Sequence, residues 1–186
     1  MIVSENRIKL KISLIFIPVA FFSYIFHEFG HWIIGEILGN NMALRLISVN
    51  PKYGDYIENT DFYVICGGVI FTVLLIIIFW FIIEKYKVIY AYPIVFFNFF
   101  FLASPLMTRF ELQDLAKISA FFNVGKYTIA LIVLIPLLLI TWRASHVLKL
   151  NYKIIIICLI ASIICSFIVS LTDVLLFYDF YKQIYE

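Results

Sequence analysis

Five stretches of the chain are apolar with no period-two alternation: Ile12 to Leu38, Phe62 to Ile83, Val88 to Met107, Tyr127 to Trp142 and Ile154 to Leu176. Each approaches the roughly 20 residues a helix needs to cross a hydrocarbon core about 30 Å thick. Their Ile, Leu and Phe runs lack the alternation of a membrane barrel, so helices are predicted. Between the first and second stretches the pattern changes. Leu44 to Val49 and Tyr53 to Ile57 read as two extended pieces around Asn50-Pro51-Lys52-Tyr53-Gly54, predicting a short β-hairpin. From Thr108 to Asn123, Arg109, Glu111, Gln113, Asp114 and Lys117 alternate with Phe110, Leu112, Leu115, Ile118, Phe121 and Phe122, the spacing of a short amphipathic helix.

Small and helix-breaking residues refine this outline. Pro18 removes a backbone donor within the first stretch and predicts a kink there. Gly30, Gly35 and Gly39 leave bare backbone on which a neighbouring helix can pack, and Gly39-Asn40 is a good helix stop. Cys66-Gly67-Gly68 opens the second stretch with another small-residue surface.

Composition agrees with the pattern. The chain is 64% hydrophobic and 14% charged, with a mean hydropathy of +1.03, whereas soluble domains are roughly 25% charged. The expectation is a multi-pass, all-α integral membrane protein of about five transmembrane helices in one domain, residues 1–186, with the lipid bilayer as its surroundings. The first stretch is too long for a secretory signal and lacks a small-residue cleavage site, so it is expected to remain in the protein. A net charge of +2 gives no reason to expect nucleic acid. Cys66, Cys158 and Cys165 form no C-x-x-C pair and read as small packing residues.

The candidate chemistry is concentrated at His27-Glu28-Phe29-Gly30-His31, inside the first apolar stretch. A charged side chain near the centre of a membrane helix costs about 2.5–3.5 kcal/mol, so something must compensate it. Residues 27 and 31 lie one helical turn apart on one face, where both imidazoles can reach one tetrahedral metal with Glu28 beside it. Zinc enzymes commonly supply three protein ligands, so a third is sought elsewhere. Asp114 is the leading candidate, with Glu111 next and Glu36 and Asp173 behind them. Glu36 lies well around the helix from the histidine pair, and His146 sits in a basic connection between Arg143 and Lys149. At 1.5 Å per residue the motif begins about 24 Å along the helix from Lys11, toward the face that carries the hairpin.

The motif in an apolar helix, the hairpin-like segment after it, the Gly67-Gly68 helix start and the downstream Asp114-Leu115 together resemble the site-2 protease family of intramembrane zinc metalloproteases. The resemblance runs from about Ile12 to Ile118, in a minimal form without a PDZ domain. It implies one zinc per chain bound by His27, His31 and Asp114, with Glu28 activating the attacking water and a membrane-embedded or membrane-proximal polypeptide as substrate. The chain departs from the family's pattern in having Gly68 in place of a proline, Phe71 in place of an asparagine and Leu115 after Asp114 in place of a glycine.

Two other readings are carried alongside. In a gluzincin-type membrane protease Glu111 would be the third ligand, on the loose resemblance of Glu111-Leu112-Gln113-Asp114 to a glutamate followed by an aspartate a turn later. A non-enzymatic membrane metal-binding or transport protein would use the same histidines, although transport paths generally place polar groups along several spans. With five spans, Arg7, Lys9, Lys11, Lys85, Lys87, Arg143, Lys149 and Lys153 face one side, against Arg45, Lys52, Arg109, Lys117, Lys126 and Lys182. This balance favours a cytoplasmic N-terminus, whereas the resemblance implies a motif near the cytoplasmic face, the opposite orientation.

Overall fold

The computed structural model describes residues 2–107 and 110–177, with side chains from residue 11 onward. Arg109 and Lys182 of the charge balance therefore lie outside the described residues. The chain forms α1 (Ile2–Ile37), β1 (Met42–Leu44), β2 (Val49–Pro51), α2 (Asp61–Tyr86), α3 (Tyr92–Ala103), α4 (Asp114–Phe121), α5 (Thr128–Val147) and α6 (Tyr152–Leu176). Five helical segments among the described residues are long and apolar enough to cross a membrane, as a multi-pass membrane protein requires.

The predicted third span keeps its extent but is only partly α-helical. Tight 3-10 turns at Ile89–Ala91 and Ser104–Met107 flank α3, and Pro105 falls in the second, where its missing N–H would interrupt an α-helix. Pro18 lies within the continuous α1. The amphipathic segment resolves into a 3-10 turn at Phe110–Leu112 followed by α4, whose Leu115, Ala116, Ile118 and Ser119 face inward.

Each helix has a buried face that combines apolar with small or polar residues, and an outward face of large apolar ones. Ile12, Phe16, Ala20, Ser23, His27 and His31 form the inward stripe of α1. Cys158, Ser162, Cys165, Val169 and Asp173 do the same on α6. By contrast Ile132, Ile135, Leu138, Leu139 and Trp142 of α5 are more than half exposed. A surface this apolar is suited to lipid rather than water. α2, α3 and α6 all pack on α1. Along the first of these seams Gly30 meets Gly67 so closely that a Cβ on Gly30 would lie 2.6 Å from the Gly67 carbonyl oxygen.

The hairpin is present, but its register differs from the sequence reading. Met42 pairs with Pro51 and Leu44 with Val49, and the chain reverses at residues 45–48, where the Arg45 N–H donates to the Ser48 carbonyl at 2.9 Å. Leu44 to Val49 therefore straddles the turn rather than forming a strand, and Tyr53 to Ile57 is loop. Burial explains the shift. This register places Met42 and Val49 together against Val64 in a small apolar cluster, and in a sheet a slip of one residue would turn both outward. Of the turn-forming residues 50–54, Asn50 and Pro51 fall in β2 itself and Lys52, Tyr53 and Gly54 serve the next loop, where Gly54 has φ 74°.

Side chains at the end of α1 fix the hairpin. After Gly39, at φ 86°, the Glu36 carboxylate accepts the Met42 N–H at 2.8 Å. Buried Asn40 accepts the Ile57 N–H at 2.8 Å and donates to Thr60 Oγ1 at 3.0 Å. Both the hairpin and the loop after it are thereby tied to the helix that carries the histidines.

Candidate metal centre

His27 and His31 leave the inward face of α1 toward α2, and both are buried. Each ring is held by its Nδ1 atom. His31 Nδ1 lies 2.7 Å from the Val64 carbonyl oxygen, an acceptor only, so Nδ1 carries the proton and donates it. The Gly68 N–H also comes within 3.3 Å of this nitrogen. That N–H is the ordinary helical donor to Val64, four residues back, so the shorter contact decides the tautomer. His27 Nδ1 lies 2.9 Å from Thr72 Oγ1, while the Thr72 hydroxyl is 3.0 Å from the Gly68 carbonyl. The hydroxyl donates its one proton to that carbonyl, which leaves it to accept from His27 Nδ1–H.

Both Nε2 atoms consequently present lone pairs, and they converge. They are 3.1 Å apart, and Asp114 Oδ2 lies 3.1 Å from the first and 3.2 Å from the second. Among the described residues these three form the one group of His, Cys, Asp and Glu side chains placed to share a metal ion. Three acceptors facing one point repel each other unless a cation or protons lie between them. Ligands about 2.0–2.1 Å from a tetrahedral ion are separated by about 3.3 Å, close to the spacing found. The donor set therefore fits a divalent ion such as zinc, with a fourth position left open.

Asp114 arrives from the N-terminus of α4. Its Oδ2 is the one acidic oxygen among the described residues that meets both Nε2 atoms.

Close backbone approach makes room for the rings. A Cβ on Gly68 would press on His31 Nε2 and lie 2.8 Å from His27 Cε1, so only glycine lets α2 pass beneath both imidazoles. Phe101 of α3 closes one side, its ring edge-on to His27 with centroids 4.9 Å apart. Beyond the rings lies a cavity of about 600 Å³ whose wall includes Glu28, Tyr56, Phe101, Gln113 and the β2 residues Val49 and Asn50.

The remaining sequence candidates are elsewhere. Glu111 is exposed and forms an ion pair with Lys126, which holds its carboxyl below the ordinary range; it does not join the histidines. Glu36 serves the hairpin, and His146 packs against Trp142. Asp173 is fully buried on α6, outside the three-residue group. Asn98 is buried in the bundle, donating to Ser23 Oγ and the Ile94 carbonyl, both at 2.8 Å.

Sequence reading missed Thr72. Its spacing of four from Gly68 was the available signal, since that places both on the face of α2 that passes under the rings. Thr72→Val removes the acceptor that orients His27 while preserving shape. Zinc affinity is expected to fall about 10- to 100-fold, measurable by competition with a chelator of known affinity.

Comparison with known proteins returns no match to this chain from protein-family models, curated proteins or solved structures.

Proposed function

We propose that this chain is an integral membrane zinc metalloendopeptidase of the site-2 protease type. In this reading one zinc is held by His27, His31 and Asp114, and the enzyme cleaves a membrane-embedded or membrane-proximal polypeptide. The observation that carries the reading is the convergence of two imidazole lone pairs and one carboxylate oxygen at 3.1–3.2 Å, with both imidazoles carried by a helix apolar enough to cross a membrane. Among the described residues one group alone is placed to share a metal ion, which favours a hydrolytic centre over a path that passes ions between successive sites.

Held by His27, His31 and Asp114, zinc would supply Lewis acidity that makes water a better nucleophile near neutral pH and polarises a carbonyl. The protein's own residues do the rest. Glu28, next to His27 in sequence and in the cavity wall, takes the proton from the attacking water and returns it to the leaving amine. Val64 and Thr72 fix the tautomers that leave both Nε2 atoms free. Helical substrates must unwind to expose a peptide bond, and the hairpin that lines the cavity offers backbone donors and acceptors to the unwound segment.

The test is co-expression with tagged single-span substrates. Wild type is expected to cleave them, and Glu28→Gln to leave them intact with its zinc retained. Equal cleavage by both removes Glu28 from the chemistry, and a zinc-dependent function that survives Glu28→Gln identifies a carrier.

A further inference from the structure

The cavity beside the histidines has one cation in its wall that the proposed reaction does not use. Lys117 lies on α4 three residues after Asp114, so both side chains leave neighbouring positions on one face of that helix. Among the described residues that line the cavity it is the sole lysine or arginine. Lys126, further along, is occupied by Glu111. The Lys117 backbone N–H donates to the Gln113 carbonyl, while its ammonium makes no hydrogen bond or ion pair with any described residue.

The surroundings indicate what this ammonium meets. The acids in the same cavity wall are Glu28 on α1 and Asp114 on its own helix, and both are engaged in the proposed reaction. Gln113, Asn50 and Ser104 line the same cavity and add neutral donors to its wall. A cation with three donors in a wall that also holds amides and a hydroxyl is suited to an anionic oxygen pair, and the ordinary anionic groups of a polypeptide at neutral pH are carboxylates.

We infer that Lys117 is a specificity-determining residue that binds a carboxylate of the substrate segment entering the cavity, from either an acidic side chain or a free C-terminus. The inference rests on the peptidase reading above, and its test is separable from it because it reads binding without turnover.

Fluorescent peptides that differ only in Glu, Gln or Lys at successive positions, each with a free or amidated C-terminus, are titrated into the zinc-loaded full-length Glu28→Gln chain in detergent. The Glu peptide is expected to bind about five- to tenfold more tightly than its Gln counterpart at the favoured position. That ratio should fall toward one in Lys117→Gln, invert in favour of the Lys peptide in Lys117→Glu, and persist in Lys117→Arg. Because the readout is a ratio within one protein, partial misfolding cannot imitate it. A preference lost on amidation assigns the carboxylate to the C-terminus, and one that survives assigns it to a side chain. Equal binding of the Glu, Gln and Lys peptides to the parent chain, or a ratio indifferent to Lys117, overturns the inference. Failure of wild type to cleave any peptide contradicts the peptidase reading while leaving the binding ratio intact.

Discussion

On the proposed zinc reading, Gly68→Ala is expected to strip the protein of its metal without altering His27, His31 or Asp114. The added methyl would lie against His31 Nε2 and 2.8 Å from His27 Cε1, so one or both rings must move, whereas metal–ligand distances tolerate only about 0.2 Å. Affinity should fall at least about 100-fold, at or beyond the upper end of losses seen when supporting residues of metal sites are changed. The sign is informative because alanine is the better helix former by about 1 kcal/mol, so a purely structural view of this glycine predicts a tolerated or stabilised helix. Elemental analysis of purified protein, paired with thermal unfolding in detergent, separates the outcomes. Zinc near one per chain in the variant would mean that the rings do not meet at the α2 backbone as described.

Glu28→Gln is expected to abolish turnover while sparing the metal. Glutamine matches glutamate in size and keeps one oxygen, so the helix and the two imidazoles should stay in place. What is lost is the base, because an amide cannot take a proton from water at neutral pH. Removing a positioned general base costs about 10²- to 10⁴-fold, and cleavage should drop by that factor with zinc still near one per chain. Glu28 is buried, with 7% of its surface exposed, so destabilisation is the competing explanation. Retained zinc in the same sample excludes it, since His27 and His31 flank residue 28 on the same two turns of α1.

The parts of this site that sequence reveals are those that a single helix determines. His27 and His31 share a face because 3.6 residues make a turn, and any helix through that segment must present them together. Asp114 was legible only as one acid among several, because its place depends on how α4 packs against α2, which no local spacing encodes. Glu111, three residues earlier, has the same chemistry but faces Lys126 instead. Val64 escapes sequence reading altogether, since it contributes a backbone carbonyl that every residue possesses. A hairpin was expected from turn formers at residues 50–54 that do not make its turn, and its register follows from burying Met42 and Val49 beside Val64, a tertiary requirement. The five apolar spans were the easiest to read, because lipid solvation imposes a length and a composition on each helix independently of its neighbours. Which face of each helix turns inward was carried by Ser, Thr, Cys and Gly positions, visible at Gly67-Gly68 but fainter along α6.

The most direct test of the account is the zinc content of the purified protein and of two variants, Asp114→Asn and Glu111→Gln. Convergence of His27, His31 and Asp114 on one ion predicts about one zinc per chain in wild type and in Glu111→Gln, and very little in Asp114→Asn. A wild-type protein that neither contains nor takes up a divalent metal, or an Asp114→Asn variant that keeps a full complement, would contradict it.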